Sequence, residues 1–331
     1  MSKYLIFRTD RIGDFIFSRM ITDSIKKKNP NNVIDFVCSK YNSHYVKHYT
    51  DISEIYILDK YDLILLLKNI RNINKKKYDY IIILDGKRRS IFFSIFLKSS
   101  NKIAVLKDFR PYLLLKFFFK KYFINSEINS QYQNFSTISN YLGFTVPKEI
   151  KYYDNYNFKK KKHSIPISNF TLLHLDEKWF EGFYYNDFKY MNLNIKNFDK
   201  LIQTIQKKFK NKIVITTGKF IIDNLKKIID NKFYQFEKNI FFSKQFKKQL
   251  IFVDNTDFRD LENIVKISSD VICCEGAISH VSNSLNKRTF ALINDRGLNT
   301  GIFWTKHMKN INLIFRGDIN YVCKQLLLCK K

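Results

Sequence analysis

One stretch constrains the fold more than any other: the run from Asp270 to Ile293, DVICCEGAISHVSNSLNKRTFALI. Val271 to Cys274 is a short apolar run, the length of a buried parallel strand. Glu275, Gly276 and Ala277 follow as a turn that needs a small residue at its centre. Ser279 to Asn286 reads as a short helix with Val281 and Leu285 on one face, and Thr289 to Ile293 as the next buried strand. A strand–turn–helix unit of this kind points unpaired backbone N–H groups at the end of a strand, where a phosphate can sit on a helix N-terminus. Glu275 and His280 flank that position. On geometry alone an ordinary crossover with a capped helix is the favoured reading, because every α/β domain contains such turns.

The remainder of the chain repeats the pattern. Tyr4–Phe7, Val33–Cys38, Ile55–Leu58, Tyr80–Leu84 and Ile103–Val105 read as strands. Phe15–Lys26, Leu63–Ile73 and Ile91–Leu97 read as helices between them. The residues from Lys151 to Asn169 lack periodicity and hold four consecutive lysines, as a linker would. The pattern then restarts with strands at Thr171–Leu175, Lys212–Thr216 and Leu250–Val253, and helices at Phe198–Phe209, Leu225–Ile229 and Leu261–Ile267. Strands alternating with helices imply parallel sheets covered on both faces. The expected fold class is α/β, with Rossmann-like domains at 1–155 and 156–331.

Composition narrows the function classes. The 331 residues include 58 Lys and Arg against 30 Asp and Glu, a net charge of +28. A polyanionic partner would answer that charge, either nucleic acid or an anionic membrane. Drift toward Lys, Asn, Ile, Phe and Tyr would produce it as well. Five cysteines with no Cys-x-x-Cys spacing argue for a reducing compartment and against a disulfide framework or a zinc site. Met1 leads directly into a strand, so no signal peptide is expected. No apolar run approaches the roughly 20 residues that span a bilayer. Arg110 to Phe123 is basic and aromatic. It reads either as an interfacial helix or as a core helix edged with lysine. There is no Asp-x-Asp, no Walker A motif and no Gly-x-Gly-x-x-Gly, so P-loop and dinucleotide readings lose support.

Four short segments could carry chemistry. In Arg8-Thr-Asp-Arg-Ile-Gly-Asp14, Gly13 would let the chain turn tightly and Asp14 would stand in the first turn of a helix at the end of a strand. The residues alone favour a helix cap for Asp14. In Leu173-His-Leu-Asp-Glu-Lys-Trp-Phe180, Lys178 is either a phosphate contact or one more surface lysine. Asp85-Gly-Lys-Arg-Arg-Ser90 is a basic turn that would suit an anionic acceptor. The Thr216-Thr-Gly218 stretch ends a strand.

Together these segments resemble glycosyltransferase family 9, the bacterial heptosyltransferases. That family begins with a strand, Arg/Lys-x-x-x-Ile/Leu-Gly-Asp and a helix, as Leu5 to Phe17 does. It carries a histidine and then Lys-Trp after a later strand, as His174, Lys178 and Trp179 do. It shows Asp-Ser/Thr-Gly-x-x-His near the end, where this chain has Glu275-Gly276-Ala277-Ile278-Ser279-His280. Here Glu replaces Asp and the glycine moves forward by one.

The resemblance covers nearly the whole chain and implies the GT-B architecture, two Rossmann-like halves facing across a cleft. The implied activity is inverting, metal-independent transfer of a sugar, a heptose, from a nucleotide-sugar to a lipopolysaccharide core or related glycolipid. Asp14 would be the general base. Lys178, Glu275, Gly276, Ala277, Ile278, His280 and Gly218 would bind the donor, and Arg11, Lys87, Arg88 and Arg89 the acceptor. No cofactor or metal is implied; ADP-heptose enters as substrate. The implied location is cytoplasmic, with peripheral contact to the inner membrane and no nucleic-acid partner. The alternatives are a non-catalytic GT-B scaffold and a basic nucleic-acid-binding protein.

Overall fold

The computed structural model describes residues 1–59, 61–106, 117–124, 130–147, 167, 169–180, 191, 193–218, 222–254, 256–294 and 298–329. The chain forms two compact units, Met1–Phe158 and Lys159–Lys331. Residues 151–166 and 168 of the expected linker and residues 110–116 of the basic aromatic segment lie outside the described residues.

The first unit runs β1 (Lys3–Arg8), α1 (Ile12–Lys28), β2 (Val33–Cys38), α2 (Lys40–Val46), β3 (Glu54–Ile57), α3 (Leu63–Lys76) and β4 (Tyr80–Ile83). It continues with α4 (Arg88–Ile95), β5 (Asn101–Leu106), β6 (Lys121–Ile124) and α5 (Gln131–Tyr141). The sheet order is β3-β2-β1-β4-β5-β6, and every pair is parallel. Such strands are covered on both faces, which explains why they read as unbroken apolar runs. Leu5, Ile6 and Phe7 of the central strand are fully buried. The run from Val33 to Cys38 nevertheless carries a fully buried Asp35. The Lys76 ammonium lies 2.8 Å from its Oδ2, and the Tyr78 hydroxyl donates to the same oxygen. A buried carboxylate is tolerated only with such partners; orphaning one costs about 3–5 kcal/mol.

Two readings of this unit change. The basic aromatic segment does not finish as a helix: Lys121–Ile124 is a strand, with Phe123 opposite Val105 of β5. An apolar run this short has no period that separates strand from helix, and the open edge of β5 selects strand. Helix α5 was not expected from apolar periodicity. It is announced by a capping box instead. Ser130 N–H donates to Gln133 Oε1 (2.8 Å) and Gln133 N–H to Ser130 Oγ (3.3 Å).

The second unit runs β7 (Phe170–Leu175), a 3₁₀ turn (Glu177–Trp179), α6 (Ile195–Phe209), β8 (Lys212–Thr217), α7 (Asp223–Lys232), β9 (Phe233–Glu237) and β10 (Ile240–Ser243). Then follow β11 (Lys247–Val253), α8 (Phe258–Ile267), β12 (Asp270–Cys274), α9 (Ala277–Ser284), β13 (Arg288–Ile293), α10 (Leu298–Thr305), β14 (Ile311–Phe315) and α11 (Ile319–Leu328). Its sheet is β14-β13-β12-β7-β8-β11-β10-β9. It is parallel from β14 to β11, with β10 and β9 added antiparallel at one edge. The β9–β10 hairpin was not legible in the lysine-rich run before β11. Four of its five β9 residues are exposed, so the apolar alternation that marks a half-buried strand is missing. All five cysteines are free thiols, four of them buried.

Candidate functional site

In an open parallel sheet, ligands bind outside the carboxyl ends of the strands, at the point where the strand order reverses. In the first unit that point lies between β1 and β4. The connections leaving these two strands are Thr9–Arg11 and Asp85–Lys87.

Arg8, at the end of β1, is buried and organises both connections. Its Nη1 donates to Leu84 O (2.7 Å) and stands 3.6 Å from Asp10 Oδ2. Its Nε donates to Asp14 O (3.1 Å) and its Nη2 to Asp14 Oδ1 (3.3 Å). The other oxygen of Asp14 accepts from Arg11 N–H (3.3 Å). Asp14 therefore caps α1 and also meets a guanidinium, with its side chain partly open to solvent. Gly13 does not form the turn expected of it. It lies inside the first turn of α1, and Thr9–Arg11 makes the bend.

Asp85 is buried and ties the two connections together. Its Oδ2 accepts from Thr9 N–H (3.2 Å), Thr9 Oγ1 (2.6 Å) and Ser90 Oγ (2.7 Å). Lys87 Nζ donates to Thr9 O (3.1 Å), and Arg89 Nη2 to Thr9 O (3.3 Å) and Oγ1 (3.2 Å). Two of the four expected acceptor-side cations thus hold the β1 connection, while Arg11 and Arg88 are exposed. Burial pushes the Asp10 carboxyl up to about 6, against the pull of Arg8 and Lys87 and with the push of Asp14 and Asp85.

In the second unit the order reverses between β7 and β12. Here the turn at Asp176–Trp179 meets the turn at Glu275–Gly276. Lys178 Nζ donates to Glu275 O and stands 3.7 Å from Asp176 Oδ2. Burial works against its charge, yet the Asp176 and Glu275 carboxylates outweigh it and raise the ammonium above its ordinary range. Gly276 has φ 157° and ψ −155°, and a Cβ there would come within 2.9 Å of Lys178 Nζ. The tightness expected of Gly276 is thus present.

One expected phosphate donor is otherwise engaged. The Gly276 N–H donates to Ser279 Oγ (3.2 Å), whose hydroxyl donates back to Gly276 O (2.8 Å). The first intrahelical bond runs from His280 N–H to Gly276 O, so Ala277 and Ile278 present the N–H groups without an intrahelical acceptor. Gly218, at the end of the adjacent β8, packs against Asp176 and Glu177; a Cβ there would lie 3.1 Å from Glu177 Oε2.

The histidines face inward. His280 is buried, stacked on His307 (6.2 Å between centroids, 15°) and edge-on to Trp304 (6.4 Å, 85°). Burial, then the neighbouring His307 and Lys178, push it down to about 3. His174 bonds Thr216 Oγ1 (3.0 Å) through Nδ1, its carbonyl accepts from Trp179 Nε1 (2.9 Å), and burial pushes the ring down to about 4. Asp10, Asp85 and Asp176 were not singled out in the sequence. Asp85 and Asp176 each directly follow a predicted strand and Asp10 lies three residues past one, and that position was the available signal. Among the described residues, no group of three or more His, Cys, Asp or Glu side chains could hold a metal ion.

No protein-family model matches the chain, and no curated protein sequence matches it. Solved structures do. A family 9 glycosyltransferase from Veillonella parvula superposes with a TM-score of 0.70 at 14% identity, covering 100% of this chain and 90% of that one. The E. coli heptosyltransferase WaaC, solved with ADP-2-deoxy-2-fluoro heptose, gives 0.67 at 10% identity over 97% and 98%. The fold is GT-B. The same fold also serves other chemistry: the UDP-GlcNAc 2-epimerase from Methanocaldococcus jannaschii gives 0.54 at 11% identity over 99% and 93%. Activity must therefore be argued from the site.

Proposed function

We propose that the chain is an inverting glycosyltransferase that moves a sugar from a nucleotide-sugar to an anionic glycolipid. The observation that carries this reading is the second switch point. A partly buried lysine is fixed beside the N-terminus of α9, where Ala277 and Ile278 present N–H groups. A cation and a helix N-terminus together form a site for a diphosphate.

The roles then follow from the residues. Lys178 and the two N–H groups hold the departing diphosphate and stabilise its charge as the glycosidic bond breaks. Glu275 accepts from hydroxyls of the donor sugar. His280, buried and neutral, supports the Glu275 turn. Asp14 takes the proton of the acceptor hydroxyl as its oxygen attacks the anomeric carbon. Arg11 and Arg88 meet the anionic groups of the acceptor, while Lys87 and Arg89 hold the loop that presents Asp14. Protein cations carry the leaving-group charge, so the proposal needs no metal. The solved structure that holds an ADP-heptose analogue supports ADP-heptose as donor; a lipopolysaccharide core as acceptor, at the cytoplasmic face of the inner membrane, is part of the same proposal.

Thermal stabilisation by ADP-, UDP- and GDP-sugars tests the reading. One of them is expected to raise the melting temperature, and Lys178→Met to weaken that nucleotide by roughly 10- to 100-fold, the worth of a lost charge-assisted contact. No stabilisation by any nucleotide-sugar would remove the transferase reading.

A further inference from the structure

Helix α3 exposes apolar side chains where a surface helix ordinarily places polar ones. Leu63 is 71% exposed, Ile64 81% and Leu67 68%, and Tyr61 just before the helix is 82% exposed. The opposite side of α3 is buried through Asn69 and Ile73, so the helix is docked and its outer face is settled. Two ridges run down that face. Leu63, Leu67 and Arg71 form one at four-residue spacing, and Ile64, Lys68 and Lys75 the other. Each ridge begins apolar and ends cationic. The cations lie four to eleven residues beyond the apolar residue that opens each ridge, about 6–17 Å along the axis.

The apolar end lies at the carboxyl edge of the first sheet, because α3 follows β3. Tyr41, 78% exposed at the start of α2, lies at the same edge after β2. Lys40 Nζ reaches Asp59 Oδ2 (2.5 Å) and joins the two connections. The Lys40 bond, the Tyr61 N–H and the charge of Arg89 hold the Asp59 carboxyl below its ordinary range, so the rim continues to the basic turn after β4.

We propose that the first turn of α3, with Tyr61 and Tyr41, is the surface on which this protein docks to an anionic lipid bilayer. The apolar tip enters the acyl boundary while Lys68, Arg71 and Lys75 meet headgroup phosphates. Charge selects this occupant. A second copy would bring like cations face to face on a chain of net charge +28, and a nucleic acid would leave the leucine tip unused. The surface is distinct from the basic aromatic segment, whose described part exposes Phe117 and Phe118, buries Phe119 and ends in strand β6. The inference extends the proposed transfer to a glycolipid: the bilayer is met at the same sheet edge as Asp14.

The test is co-sedimentation of the full chain with phosphatidylethanolamine–phosphatidylglycerol vesicles that contain neither glycolipid nor nucleotide-sugar. Binding is expected to be weakened by salt and to be absent on phosphatidylcholine vesicles. Replacing Leu63, Ile64 and Leu67 together by Ser is expected to lower partitioning about tenfold or more at an unchanged melting temperature. Parental binding by that variant would overturn the proposal. So would a change in its association state without lipid, which would mean that a second copy covers the patch. Ile64→Trp keeps the patch apolar and guards against misfolding of the triple variant. Its emission is expected to shift to the blue on anionic vesicles, and an unshifted emission would also overturn the proposal. Vesicle binding requires no turnover, so loss of the transferase reading and loss of the docking surface are told apart.

Discussion

The two switch points solve opposite problems with the same scaffold. The first, between β1 and β4, sets Asp10 and Asp14 against the buried Arg8 and ties Asp85 to the neighbouring Thr9. The second, between β7 and β12, presents one partly buried lysine beside a helix N-terminus and keeps two neighbouring histidines neutral. An acidic cluster suits proton removal, and a cation with free N–H groups suits an anionic leaving group. One fold therefore supplies both, and the difference lies in which residues follow the strands.

The sharpest way to break the comparison is to remove one carboxylate without changing shape. Asp14→Asn is expected to lower turnover by roughly 10²-fold or more and to leave nucleotide affinity nearly intact. Steady-state kinetics beside calorimetry checks both halves. Unchanged turnover would return Asp14 to the role of a helix cap, and the first site would then be structural.

Acid should separate the two units next. His174, His280 and His307 are held at about 4, 3 and 4 in the folded protein, against an ordinary value near 6.5. Between those limits the unfolded chain binds more protons, so stability falls as pH falls, by on the order of 1 kcal/mol per histidine from pH 7 to pH 5. Asp10 works in the other direction. Its folded value of about 6 lies above the ordinary 3.8, so its contribution to stability rises as pH falls through that window. Hydrogen exchange at pH 7 and pH 5 should show β7, β8 and α9 losing protection before β1 and α1. Equal loss in both units would mean that the buried histidines do not set acid lability.

The smallest expected effect sharpens the second site from within. Glu275→Gln should weaken a sugar-nucleotide by roughly tenfold, the worth of one hydrogen bond to a charged group, and barely change the free nucleoside diphosphate. Calorimetry of both ligands on both proteins measures it. An equal loss for both would assign Glu275 to shaping the turn, because its carbonyl already receives Lys178.

The sequence by itself determined the parallel α/β architecture and most strand positions, since strands buried on both faces must be apolar along their length. Motifs that resemble those of family 9 also marked Asp14, Lys178 and the Glu275–His280 turn as candidates, and each lies in a connection or first helical turn after a strand. Other features were decided only in three dimensions. Asp85 bonds Thr9, Lys178 Nζ donates to Glu275 O, and Arg8 donates to Leu84 O. These partners come from different strands, and sheet order rather than spacing along the chain brings them together. Gly13 shows the same limit at short range. Its place inside α1 depends on where Thr9–Arg11 bends, and that bend is fixed by hydrogen bonds to Asp85 and from Lys87 and Arg89, more than seventy residues away. A chain read in one dimension shows which residues can make such bonds, but only the folded sheet pairs them.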